Sequence, residues 1–257
     1  MTALLAAIVL ATGRWQGLDA RAASLLLLSG FVGIFAGDTL LFTALNRLGP
    51  RRSGVIFALN APMSAILGWM LLGEKLPLTA TAGIVLTAFG VMLAILFGKR
   101  SGQVHKIEDV KGPLLVGVGF GLCAALGQAL GSIIARPIMA AGFDPIVASM
   151  LRVGTAAFCL TTVMALPIPA VQPRAALNWK MASLTVLTGV LAMGIGMTLL
   201  LYALSGGKTG IISTLSATSP VLILPMLWAR TGQRPAVGAW VGALCVVGGM
   251  ALIFLSA

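Results

Sequence analysis

Charge is what this chain has least of. Of its 257 residues, 17 are Lys or Arg and six are Asp or Glu, so charged side chains make up 9%, against about 25% in soluble domains. A soluble fold hydrates its surface with such groups. At 59% hydrophobic, this chain holds more apolar material than a soluble core could bury. Histidine occurs once, at His105, which excludes the His-Glu-x-x-His zinc site of a metalloprotease. One carboxylate, Asp38, falls inside an apolar run. An intramembrane aspartyl protease is thereby excluded, because its chemistry needs two carboxylates sharing a proton. No Gly-x-x-x-x-Gly-Lys-[Ser/Thr] loop occurs, so ATP use is not expected. The three cysteines, Cys123, Cys159 and Cys245, lie far apart in separate apolar runs. They have no second ligand at metal-site spacing and read as small buried hydrophobes. Neither an enzyme nor a cofactor is expected.

What the chain has instead is apolar length. Nine segments stand out: Met1–Thr12, Ala23–Leu45, Val55–Leu72, Leu78–Phe97, Pro113–Ile134, Ile146–Leu166, Ala182–Leu204, Ile211–Trp228 and Val237–Leu255. Most approach or exceed the roughly 17–25 residues that carry a helix across the hydrocarbon, and they lack the alternation of an outer-membrane barrel. The expected class is all-α, a polytopic membrane helix bundle in the cell (inner) membrane, with the lipid bilayer as its first partner. The net charge of +11 would suggest nucleic acid in a soluble protein. Here nearly all the cations fall in short connections, as topology signals and headgroup contacts, and no nucleic-acid partner is expected.

The chain also says one thing twice. Leu40 to Leu45 reads LLFTAL and Leu199 to Leu204 reads LLLYAL; at an offset of 159, Gly73, Gly83, Gly90, Leu93 and Leu96 fall on Gly232, Gly242, Gly249, Leu252 and Leu255. The polar stretch 99–112 separates a first repeat, 1–98, from a second, 113–257. Twelve residues span only about 18 Å of a roughly 30 Å core, so Met1–Thr12 reads as cut short. A signal peptide is the rival reading, but the basic n-region is missing. The counterpart of Pro113–Ile134 maps before Met1, which implies a ten-helix parent architecture, five helices per half. An odd number per half makes the repeat inverted, and such proteins place a substrate site between their halves.

The stretch from Leu40 to Leu96 carries an Ala-Leu before a short turn, a helix with early Pro62, then Leu72-Gly73-Glu74, then Gly83 and Gly90. It resembles the EamA domain of the drug/metabolite transporter superfamily. Pro220, Gly232, Gly242 and Gly249 match the same pattern in the second half, and Gln233 departs from it where the family has glutamate. The resemblance implies ten helices with both termini cytoplasmic. The loop charges imply the opposite for the C-terminus: one face carries eleven cations and the other Arg14, Arg21, Lys75, Arg136 and Lys208, which the positive-inside rule would place outside.

Several residues are candidates for a substrate or ion site. Asp38 lies deep in a helix, where insertion costs about 2.5–3.5 kcal/mol. It is either a proton or cation site, or a structural carboxylate bonded to Thr39 or Thr43 or paired with Arg152. Arg152 either snorkels to the interface or binds an anionic substrate. Ser213, Thr214, Ser216, Thr218 and Ser219 precede Pro220, and Asn60 precedes Pro62. Proline frees carbonyls that these groups can satisfy or offer to a ligand. Gln128 and Ser132 share a helix face, and Tyr202 suits a cavity or an interface. Glu74 and Lys75 read as a helix-end cap. The expected function is a secondary transporter of a small metabolite or drug-like compound by alternating access, with proton coupling through Asp38. Export follows from the resemblance alone. The alternatives are a flippase of a lipid-linked substrate and a non-functional fragment.

Overall fold

The computed structural model describes residues 1–13, 19–97, 113–166, 178–216 and 236–255. Among them the regular elements are all helical: α1 (Thr2–Thr12), α2 (Ala20–Gly30), α3 (Gly37–Leu48), α4 (Pro50–Phe57), α5 (Asn60–Leu72), α6 (Leu78–Leu96), α7 (Leu114–Ala140), α8 (Pro145–Ala165), α9 (Trp179–Thr188), α10 (Met197–Gly206), α11 (Thr209–Ser216) and α12 (Val237–Leu255). Two π-helical segments, Phe31–Ala36 and Gly189–Gly196, join α2 to α3 and α9 to α10. Among the described residues, four continuous stretches are long and apolar enough to cross a membrane: Ala20–Leu48, Leu114–Ala140, Pro145–Ala165 and Met181–Gly206. The fold is an all-helical, multi-pass membrane protein.

Each of the nine apolar segments is helical over most of its described residues, with two differences from the sequence reading. Val55–Leu72 is not one helix but two, α4 and α5, broken at Ala58 and Leu59. Pro62 is the cause. It has no N–H for the Ala58 carbonyl four residues back, so Ala61 N–H donates to Ala58 O at 3.3 Å. That deprives Phe57 O of its normal partner, and the Asn60 side-chain amide donates to it at 2.7 Å instead. The second difference is α7, which runs past Ile134 to Ala140 with Pro137 inside it. Arg136 therefore belongs to the helix and not to a connection. Of Ile211–Trp228, the residues from 217 onward lie outside the described set, as do Gly98 to Gly112.

The chain forms two compact units, Met1–Ala36 with Ile134–Gly207 and Gly37–Ile133 with Lys208–Ala257. Each unit takes helices from both sequence repeats.

In the first unit α8 is the central element, with α1, α2, the first π segment and α10 packed on it. Its start is built locally. Asp144 accepts from Ile146 N–H at 2.7 Å and Val147 N–H at 3.2 Å, and Pro145 occupies the first turn, where a missing N–H costs nothing. The buried face of α8 carries Ala148, Ser149, Arg152, Val153 and Ala156, positions three and four apart that align on one side of a helix.

In the second unit α6 and α12 cross through glycines. A Cβ on Gly83 would lie 2.7 Å from the Gly249 carbonyl oxygen, and one on Gly90 would lie 2.6 Å from that of Gly242. Only hydrogen lets the backbones approach so closely, which is how helices associate when lipid supplies no hydrophobic drive. The pairing is reciprocal. The repeat offset carries Gly83 to Gly242 and Gly90 to Gly249, so each contact is the image of the other with the repeats exchanged. The two helices run antiparallel, as an inverted repeat requires. Ala58, Val91 and Val246 form a buried cluster beside this crossing, with Ala243 and Met250 against it.

Candidate substrate and ion site

The π segments are the feature that sequence reading missed. At the offset of 159, Gly30 and Gly37 fall on Gly189 and Gly196, and these glycines bracket or bound the two segments. Both repeats thus widen the same helix at the same place. A π turn inside an α-helix breaks the regular ladder and recurs at functional sites. The signal in the sequence was the matched glycine pair, which periodicity does not register.

Asp38 is half-buried in the first turn of α3, two residues after the end of the first π segment. Its neighbour Thr43 does not serve it as a free donor, because Thr43 Oγ1 donates to Thr39 O at 2.7 Å. Arg152 is fully buried, the largest side chain to be so among the described residues. Snorkelling to the interface is overturned, because Arg152 has no exposed surface and lies on the buried face of α8. A Cβ on Gly30 would stand 2.7 Å from the Arg152 Cα, so α2 and α8 touch backbone to backbone at this point.

Asn60 is 7% exposed and occupied with Phe57 O, repairing the proline break. Ser132 is buried, and its hydroxyl donates to the backbone carbonyl of Gln128 at 3.2 Å; Gln128 itself is half-buried on the same face of α7. Tyr202 is 67% exposed on α10. In α11, Thr214 donates to Gly210 O at 2.7 Å and Ser216 to Ile212 O at 2.9 Å, the usual back-bonding of hydroxyls in a helix. Thr218 and Ser219 lie outside the described residues. Within the first unit Arg152 and Tyr202 point to different environments. Within the second, Asn60 and Ser132 are both buried, each bonded to its own helix.

The first unit also holds an open cavity of about 550 Å³ where α2 begins and α7 ends, lined by Asp19, Arg21, Leu25, Pro137, Ile138 and Phe143, among others. None of the candidate residues lines it. Groups of three or more His, Cys, Asp or Glu side chains able to hold a metal are absent among the described residues.

Reciprocal glycine crossings, matched π segments and membrane-length apolar helices define a membrane protein of two inverted repeats. Comparison with known families gives the same division: the model of the EamA-like transporter family matches residues 1–96 and 115–255. The chain belongs to the EamA-like transporter family. A solved crystal structure, described simply as that of a protein, is similar over 99% of this chain and 94% of its own, with a TM-score of 0.72 at 18% identity, a likeness of fold. No curated protein matches the chain.

Proposed function

We propose that this protein is a secondary exporter of a small metabolite or drug-like compound, working by alternating access and coupled to protons through Asp38. Membership of a transporter family supplies the class. The observation that carries the finer reading is the place of Asp38, the one carboxylate inside an apolar run, half-buried and two residues beyond a π segment that recurs in the other repeat. Ionisable groups within membrane spans are costly and mark ion pathways, and a π turn gives the helix a point at which it can change. Hydration and closure around Asp38 would release and take up a proton in turn.

The test uses the full chain in proteoliposomes loaded with a pH-sensitive dye. An extract of mixed metabolites is added to wild type and to Asp38→Asn. Proton movement in wild type that disappears in the variant is the expected result, and fractionation of the extract then leads to the substrate. Equal signals in both remove Asp38 from coupling.

A further inference from the structure

The turn between α5 and α6 belongs to the first repeat and α11 to the second, and one side chain joins them. Gly73, at φ 65°, ends α5 in the left-handed conformation, and Glu74 N–H donates to Gly68 O at 3.0 Å. This closure aims the Glu74 carboxylate at the start of α11. Thr209 N–H donates to Oε2 at 2.9 Å and Oε1 at 3.1 Å, and Thr209 Oγ1 donates to Oε1 at 2.9 Å. The carboxylate thereby meets an N–H that the helix itself leaves unsatisfied, at the positive end of its dipole. The surroundings hold this geometry. A Cβ on Gly68 would stand 2.6 Å from Glu74 Oε2, and one on Gly210 would stand 2.7 Å from the Ala65 Cα of α5.

At the repeat offset Thr209 corresponds to Pro50, the first residue of α4. A proline nitrogen carries no hydrogen and its ring no hydroxyl. Neither of the two donors that Thr209 offers therefore exists at the start of α4, whatever acceptor is placed near it. The sequence is consistent with this asymmetry: the counterpart of Glu74 is the uncharged Gln233, and no donor at position 50 calls for a charge.

We infer that Glu74 is a positioning residue, a one-sided staple between the repeats. It ties the first turn of α11 to the α5–α6 turn, whereas Pro50 at the matching position of α4 presets φ and carries neither of those two donors. In a transport cycle, α11 then moves with α5 as one piece and the start of α4 is the freer end. That last consequence rests on the transport reading above; the staple does not.

Hydrogen–deuterium exchange on the full chain in lipid nanodiscs tests it without a substrate, so failure of the transport reading leaves the result intact. Glu74→Ala is expected to speed exchange of the amides at 209–212 about tenfold or more, the scale of a lost charge-assisted bond, with 51–54 unchanged within about twofold. Glu74→Gln, which keeps an acceptor oxygen, falls between. Thr209→Pro removes both donors, so adding Glu74→Ala to it is expected to lower the melting temperature no further. A merely structural glutamate would give additive losses. Equal acceleration in α4 and α11, no acceleration in α11, or additivity of Glu74→Ala with Thr209→Pro overturns the proposal. Should Thr209→Pro not fold, the exchange of Glu74→Ala and Glu74→Gln decides it alone.

Discussion

Gly30 in α2 lies directly against the backbone of Arg152 in α8, close enough that a methyl group on Gly30 would come within 2.7 Å of the Arg152 Cα. Backbone atoms cannot yield as a flexible side-chain tip can. Gly30→Val is therefore expected to destabilise the first unit by about 1–3 kcal/mol, the range for overpacking. Thermal unfolding in detergent checks this, with Gly119→Ala as the control, since a Cβ at Gly119 meets nothing within 4 Å.

The reciprocal crossing of α6 and α12 makes a prediction about symmetry. Gly83→Ala and Gly90→Ala each push a methyl group onto a carbonyl of the opposite helix, at a cost of about 1–3 kcal/mol. Gly83 and Gly249 share one contact, so Gly83→Ala with Gly249→Ala should cost less than the sum of the two single changes. Gly83→Ala with Gly90→Ala, which strike the carbonyls of Gly249 and Gly242 respectively, should come closer to additivity. Melting temperatures of the three single and two double variants decide it.

Asn60 and Pro62 form a coupled pair through the backbone. Asn60→Ala leaves Phe57 O without its side-chain donor and should cost about 1–3 kcal/mol. Pro62→Ala returns an N–H to Ala58 O, which frees Ala61 N–H for Phe57 O. The double variant is expected to be more stable than Asn60→Ala alone, a reversal of the usual sign for a second substitution. Unfolding of the two variants side by side tests it; a further loss in the double variant would refute the account of the break.

Arg152 and Arg21 should respond to truncation very differently. Arg152 is fully enclosed and Arg21 exposed. Arg152→Ala removes a large buried side chain and is expected to cost about 2–5 kcal/mol, visible as lost monodisperse yield on size exclusion. Arg21→Ala should remain within about 0.5 kcal/mol of wild type.

The class of fold was legible in the sequence because a membrane imposes a one-dimensional rule: apolar runs of sufficient length must be helices whose backbone bonds close within the segment. Composition, run length and the offset of 159 were enough for the helices, the membrane and the inverted repeat. Where the break in Val55–Leu72 falls followed from Pro62 by local chemistry, but the split into two helices required the competition among Ala58, Phe57, Ala61 and Asn60 to be resolved in space. The π segments escaped because two glycines say nothing of ladder spacing by themselves. Burial of Arg152 was beyond reach for a different reason: position along a helix does not tell which face the neighbouring helices cover. The same holds for Glu74, whose partner Thr209 is 135 residues away. Sequence determined what could be read from neighbours along the chain and from a repeat laid on itself. Tertiary structure alone decided which face turns inward and which carboxylate meets which helix end, because those contacts join residues whose separation in sequence carries no periodicity.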